Sequence, residues 1–336
     1  MQKLNRIEEL QAFLESHRGT KTAITFHSMG DTDSVSSAIA ISENYYGEIV
    51  CPDRITGNSE RILKNLGYIN RMSRTTIESG TELIILVDVN NFEGCGNLHQ
   101  PLEDFGGEIL IIDHHAVSEM KKENITAFDD ETYTSTASII TELLNAAGKN
   151  PTKEQQKLLL MGIISDSAEF RNSDSRTFSQ IGKLLANLGS NYPAILEEMT
   201  FRSSPSERER AIDDITRAKK EVVGDLLVLV GESRTRANTA ADMAIRIGAD
   251  VAIFCYEGRE EISFSTRLQP QLDTKLGIHL GMIMKSMAPL IDGSGGGHPC
   301  AAGAYGKNYK HKELFIELFV NKIRESVKVR EGEASK

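Results

Sequence analysis

Six side chains in the first half of the sequence combine the donor types that hard divalent cations prefer. His27, Asp31 and Asp33 stand at i, i+4 and i+6, and Asp88, His114 and Asp166 follow at long intervals. Any one of them alone is an ordinary polar turn or cap residue. Together with Asp113 they place five carboxylates at the ends of apolar runs, and such a group would repel itself and raise its own pKa values unless a positive charge sat inside it. Oxygen donors with a minority of imidazole suit Mn²⁺ or Mg²⁺, and the lack of thiolate argues against structural zinc. The set is too large for one ion and about right for two. Paired divalent ions roughly 3.5–4 Å apart activate water and steady the attacking and leaving oxygens in phosphoester hydrolysis.

The positioning elements are legible around these residues. Thr22-Ala23-Ile24-Thr25-Phe26 is a β-type run that ends at His27, and a small-residue helix is expected from about Ser34 to Tyr46. Leu83 to Val87 ends at Asp88, and Ile109 to Ile112 ends at Asp113-His114-His115. Continuous apolar strands alternating with helices predict an α/β fold, a mostly parallel sheet with helices on both faces. In such sheets chemistry gathers at the carboxyl ends of the strands. Helical patterns run from Thr134 to about Val222, and Met161 to Ser165 leads into Asp166. Ser203-Ser204-Pro205-Ser206 with the charge-rich Glu207 to Lys220 predicts a capped, solvated connector helix. A second set of strands (Leu226 to Val230, Val251 to Tyr256, Glu261 to Thr266) alternates with helices near Thr239 to Ile247 and Thr274 to Met287. The expected domains are 1–200, a connector over 201–222, and a second, smaller α/β domain over 223–330.

Composition bounds the function. A chain of 336 residues suits two domains better than one. The net charge of −10 argues against holding long or duplex nucleic acid by surface charge. Hydrophobic and charged shares of 40% and 26% are those of an ordinary globular protein. No apolar run is long enough to cross a bilayer, and the N-terminus lacks the apolar core of a signal peptide. Cys51, Cys95, Cys255 and Cys300 form no CxxC pair, which predicts a reduced, cytoplasmic setting.

Four ordered motifs resemble the DHH phosphoesterase superfamily: His27-Ser28-Met29-Gly30-Asp31-Thr32-Asp33, then Asp88, then Asp113-His114-His115, then Gly162-Ile163-Ile164-Ser165-Asp166-Ser167. Thr134-Ser135-Thr136-Ala137 resembles the small-residue helix start that precedes the fourth motif in family members. The resemblance implies that His27, Asp31 and Asp88 hold one metal and that Asp33, Asp88, His114 and Asp166 hold the other, with Asp88 bridging. It implies that His115 contacts the scissile phosphate and that Asp113 orients its histidine neighbours. Spacing alone leaves open which histidine faces the metal, because neighbours on a strand point to opposite faces. Two departures from the family pattern are Gly30, where many members carry proline, and Ser138, where glutamate is common. Gly30 predicts a more mobile first loop.

Gly293-Ser294-Gly295-Gly296-Gly297-His298-Pro299-Cys300-Ala301-Ala302-Gly303 resembles the GGGH stretch of the type-one DHH-associated domain, which contacts substrate phosphate and nucleotide. Glycines allow close backbone approach, and Ala301-Ala302-Gly303 reads as a packed helix start whose N–H groups would face an anion. Ser263 to Arg267 resembles the strand before it, with Arg267 as a phosphate clamp beside Gly295, Gly296, Gly297 and His298. The resemblance spans roughly Thr20 to Leu318. It implies a phosphodiesterase or phosphatase using two Mn²⁺ ions, with Mg²⁺ as the substitute. The implied substrate is a short oligonucleotide or nucleotide, hydrolysed to nucleoside 5′-monophosphates, or 3′-phosphoadenosine 5′-phosphate (pAp), and a homodimer is allowed. A RecJ-like single-strand exonuclease and a non-catalytic assembly factor are the other expectations.

Overall fold

A computed structural model describes residues 1–115, 122–167, 170, 173–200, 204–234, 236–259, 261–270 and 272–334. The chain divides into two compact units, Met1–Phe201 and Arg202–Lys336.

In the first unit β1 (Gln2–Lys3), β2 (Thr22–Phe26), β3 (Glu48–Ile49), β4 (Leu83–Val87), β5 (Glu108–Asp113) and β6 (Ile125–Asp129) form one sheet in the order β1-β6-β5-β4-β2-β3. Every pairing in it is parallel. The strands read as unbroken apolar runs because both faces are buried. Ile24, Phe26, Ile85, Val87, Leu110 and Ile112 enter one core, while Ala23, Ile84, Leu86, Ile109 and Ile111 enter the other. Among the described residues, eight α-helices accompany the sheet: α1 (Ile7–Ser16), α2 (Thr32–Tyr45), α3 (Gly57–Asn65), α4 (His99–Glu103), α5 (Thr136–Ala146), α6 (Lys153–Asp166), α7 (Ser175–Leu188) and α8 (Tyr192–Met199).

The register aligns the chemistry. Phe26 pairs with Val87, and Val87 with Ile112, so His27, Asp88 and Asp113 are the next residues on three adjacent strands. The chain leaves β2 toward β3 on one side, then returns to build β4, β5 and β6 on the other. The carboxyl ends of β2 and β4 therefore flank the point where strand order reverses, the usual ligand crevice of an open parallel sheet.

The second unit contains β7 (Lys219–Val223), β8 (Leu226–Ser233), β9 (Val251–Glu257), β10 (Ile262–Leu268), β11 (Ser294–Gly297) and β12 (Ala301–Gly306), in the order β11-β12-β10-β9-β8-β7. Among the described residues β8 and β9 run parallel and the other pairings are antiparallel. Its helices are α9 (Pro205–Arg217), α10 (Ala237–Arg246), α11 (Leu272–Leu276), α12 (Leu280–Met287) and α13 (Lys312–Ala334). One sheet face packs on α12 and α13, with Phe264 stacked on Phe315 at 4.1 Å between ring centroids. On the other, the alanine stripe Ala237, Ala240, Ala241 and Ala244 of α10 meets Ala252 and Phe254.

Three local expectations change. Ala301-Ala302-Gly303 is not a helix start but the beginning of β12, and with β11 it forms an antiparallel hairpin. Small residues with little strand propensity pair there because β10 already supplies a template edge along Ile262 to Arg267. The helix expected over Thr274 to Met287 breaks between α11 and α12 around Gly277, whose φ is +64°. Within the expected connector over 201–222, α9 ends at Arg217 and Lys219–Val223 is strand β7, while 201–203 lie outside the described residues.

Candidate metal centre

Two backbone features set the side chains at the sheet edge. Asp31 caps α2, its Oδ1 accepting from the Ser34 N–H at 3.0 Å, which places Asp33 in the first turn of the helix. Asp33 is 1% exposed, and its carboxylate receives the N–H groups of Thr136 (2.7 Å) and Ala137 (2.8 Å) at the start of α5. Asp88 leaves β4 with φ +60°, in the left-handed region, anchored by its N–H to the Ile112 carbonyl at 3.0 Å. Strain of this kind in a non-glycine residue clusters at functional sites.

Around Asp88 the predicted residues converge. His27 Nε2 lies 3.4 Å from Asp31 Oδ1 and 3.4 Å from Asp88 Oδ2. His114 Nε2 lies 3.6 Å from Asp88 Oδ1 and 3.0 Å from Asp166 Oδ2, the last residue of α6. Ligand atoms of His27, Asp31 and Asp88 fall within 4.8 Å of one another, and so do those of Asp33, His114 and Asp166. Asp113 Oδ1 accepts the His114 N–H (2.8 Å), the His115 N–H (3.3 Å) and His115 Nδ1 (2.8 Å). The strand ends at Asp113, so strand alternation no longer applies to the two histidines. Their rings tilt against each other at 4.2 Å, and His115 Nδ1 lies 3.8 Å from Asp88 Oδ1.

The electrostatics describe a site short of positive charge. Burial, then the carboxylates of Asp88, Asp166 and Asp31, hold Asp33 well above the usual carboxylate range. Burial would also raise Asp88, but the imidazoles of His27, His114 and His115 outweigh it and keep that carboxyl low. Burial lowers each histidine, and the surrounding aspartates more than reverse this. His27 is raised well above its ordinary value, His114 is raised, and His115 is pushed up to about 9, chiefly by Asp113. His114 Nε2 is buried, and its near neighbours are carboxylate oxygens, Asp166 Oδ2 at 3.0 Å and Asp88 Oδ1 at 3.6 Å. A buried nitrogen aimed among carboxylate oxygens fits a divalent cation, as does the oxygen-rich donor set.

Close packing makes room for this cluster. A Cβ on Gly162 would run into Ser36 Oγ and stand 2.9 Å from Ala137 Cβ and 3.2 Å from Asp33 Oδ1, so glycine lets α6 approach α2 and α5. Gly30 is buried, with φ +52°, and a Cβ there would meet Ile55 Cγ2 at 2.6 Å. Its N–H and carbonyl bond His27 and Thr56, both at 3.0 Å, so the loop expected to be more mobile is instead tied down. Ser138 donates to Gln180 Oε1 of α7 at 2.5 Å. Thr136 belongs to the helix-start motif but was not among the candidate site residues, and its Oγ1 donates to Asp88 Oδ1 at 3.0 Å.

The remaining candidates lie in the second unit. Gly295, Gly296 and Gly297 are strand residues opposite Ala304, Gly303 and Ala302. His298 is in the hairpin turn, its N–H bonded to the Ala301 carbonyl at 2.8 Å. Arg267 is the register partner of Ala301, and its Nε meets Asp242 Oδ1 at 2.6 Å. Arg234 pairs with Asp213 and the buried Asp214, fixing the β8 end to α9.

Residues 21–163 match the model of the DHH family N-terminal domain, and residues 226–325 match that of the DHHA1 domain. The chain is 26% identical over 306 residues to an uncharacterized protein of Methanocaldococcus jannaschii, covering 88% of this chain and 90% of that one. It is 27% identical over 201 residues to a probable manganese-dependent inorganic pyrophosphatase of Clostridium acetobutylicum, covering 57% of this chain and 62% of that one. Further probable manganese-dependent pyrophosphatases match over about half of their length, for example that of Bacillus licheniformis, at 29% identity and 50% coverage. The fold is that of an exopolyphosphatase-related protein from Bacteroides fragilis, with TM-score 0.78, 16% identity and 97% of each chain covered. Among the described residues no helix is long and apolar enough to cross a membrane.

Proposed function

The chain belongs to the DHH superfamily of metal-dependent phosphoesterases, and from that premise we propose that it uses two Mn²⁺ ions to hydrolyse short oligonucleotides to nucleoside 5′-monophosphates, pAp being a second substrate. The observation that carries the metal assignment is the buried His114 Nε2 among the carboxylates of Asp88 and Asp166. His27, Asp31 and Asp88 would hold one ion, and Asp33, Asp88, His114 and Asp166 the other. Bound there, such ions supply an activated water and charge stabilisation at the phosphorus.

The protein groups do the rest. Thr136 and Ala137 N–H groups fix Asp33, and Thr136 Oγ1 fixes Asp88, so neither carboxylate has to reorganise when a ligand arrives. Asp113 accepts from His115 Nδ1 and so orients the ring. Asp113 raises His115 and so favours its cationic form in the metal-free fold, a charge suited to a phosphate. In the second unit Arg267, His298 and the backbone of Gly295 to Gly297 would bind nucleotide phosphate and sugar.

The oligonucleotide substrate is supported by the second unit. The DHHA1 match over residues 226–325 gives this chain a partner domain with a glycine-histidine hairpin and an arginine beside it. A second reading, hydrolysis of inorganic pyrophosphate, is favoured by the names of the relatives that match over about half of their length. An assay panel in Mn²⁺ with di- to pentaribonucleotides, long single-stranded DNA, pAp and pyrophosphate separates the two. Turnover highest on short oligoribonucleotides or pAp is the expected result, and a preference for pyrophosphate or long DNA overturns the assignment.

A further inference from the structure

Arg267 is not a free arm. Its Nε donates to Asp242 Oδ1 at 2.6 Å, while Nη1 is shared between Ser265 Oγ at 3.1 Å and the Thr266 carbonyl at 3.0 Å. Nη2 makes only the long 3.5 Å contact to Asp242 Oδ2. A guanidinium carries five N–H donors in a planar fork, so three directions are fixed by protein and the Nη2 edge is the one left for a ligand. Asp242 stands on α10 opposite β10, and its side chain is 48% exposed against 22% for Arg267. The carboxylate is therefore present wherever the arginine is offered.

Resting on the reading of Arg267 as the phosphate clamp, we infer that Asp242 is a positioning and selectivity residue: it locks the arginine fork with its Nη2 edge outward and cancels its charge. The lock removes rotamer freedom that a phosphate would otherwise have to freeze on binding. The cancellation matters for substrate class. A neutral Arg–Asp pair still donates hydrogen bonds to a singly charged phosphodiester, but the exposed carboxylate repels a second negative charge beside it. The pair thus disfavours compact inorganic polyanions relative to an oligonucleotide. The two units differ in the same sense: residues 1–201 hold 17 Lys and Arg against 29 Asp and Glu, whereas residues 202–336 hold 21 against 19. The second unit is near neutral and not a basic trap.

Steady-state kinetics on the full chain with Mn²⁺ and a diribonucleotide test this, with imidodiphosphate, a pyrophosphate analogue that resists hydrolysis, as inhibitor. Asp242→Ala should raise KM about tenfold with kcat changed by less than about twofold, as expected for one misaligned charge-assisted hydrogen bond. Asp242→Asn keeps an acceptor for Nε but removes the charge, so it should raise KM less and tighten imidodiphosphate inhibition several-fold. Arg267→Ala should raise KM and weaken that inhibition. Wild-type KM and wild-type inhibition in both Asp242 variants, with KM raised in Arg267→Ala, overturn the inference and leave the clamp standing. An unchanged KM in Arg267→Ala removes the clamp itself. Thermal melting of each variant separates these effects from a role in stability, which would lower the melting temperature without splitting KM from kcat.

Discussion

Thr136 Oγ1 donates to Asp88 Oδ1 at 3.0 Å, while the N–H of the same threonine donates to Asp33 Oδ2 at 2.7 Å. One residue at the start of α5 therefore braces two carboxylates that approach from different elements, β4 and α2. Thr136→Val keeps the shape and removes the hydroxyl, so the fold and the Asp33 contact should survive. Mn²⁺ affinity or turnover should fall about 10–100-fold, the usual loss when a group behind a ligand is removed. Calorimetric Mn²⁺ titration beside an activity assay checks it, and wild-type affinity would show that the brace is idle.

Removing ligands outright has a larger effect. The Asp33→Ala, His114→Ala double variant should lose more than about 100-fold in turnover, beyond what second-sphere changes cost. Far-ultraviolet circular dichroism should remain that of the parent. Activity within a few-fold of the parent would defeat the metal assignment.

The pKa directions predict how metal and fold are linked. His27 and His114 are raised above their ordinary 6.5 in the metal-free fold. Their stabilising contribution is full below about pH 6.5 and is lost as pH rises through the folded values. Asp33, raised above its ordinary 3.8, acts in the same sense: the stability it lends is present at low pH and gone once it ionises. Ligation requires all three groups to be deprotonated. The rise in melting temperature on adding Mn²⁺ should therefore grow from about pH 6 to about pH 9. Paired melts in Mn²⁺ and in EDTA across that range measure it, and a pH-independent rise would contradict it.

Gly162 is the place where α6 comes closest to α2 and α5, and alanine there would strike Ser36 Oγ. Gly162→Ala should lower stability by about 1–3 kcal/mol, the usual penalty for overpacking. It should also weaken Mn²⁺ binding, because Asp166 lies one helical turn further on the same helix. Urea denaturation and Mn²⁺ titration on one preparation read both, and unchanged stability would mean that α6 has slack.

Much of the first unit was legible from residue order. The apolar runs ending at His27, Asp88 and Asp113 are strands β2, β4 and β5, because burial on two faces leaves a signature no surface element shares. The eight candidate residues His27, Asp31, Asp33, Asp88, Asp113, His114, His115 and Asp166 meet around Asp88. What could not be read depends on tertiary context. The β11–β12 hairpin is built from glycine and alanine, which carry no strand signal of their own. Gly30 was expected to be loose, yet it is buried, a Cβ there would meet Ile55, and its φ of +52° is one that a proline cannot adopt. Asp242 is one half-exposed acid on an amphipathic helix, and only its partner on β10 distinguishes it.

Asp88 holds a backbone angle of φ +60° at the end of a buried strand. Glycine would relieve that angle by on the order of 1 kcal/mol, but it would strip Thr136 Oγ1 and the neighbouring imidazoles of their carboxylate. The protein would also lose the carboxylate that lies between His27 and His114. The chain thus carries a strained backbone angle at the centre of its chemistry, where relief of the strain and loss of the chemistry would come in one substitution.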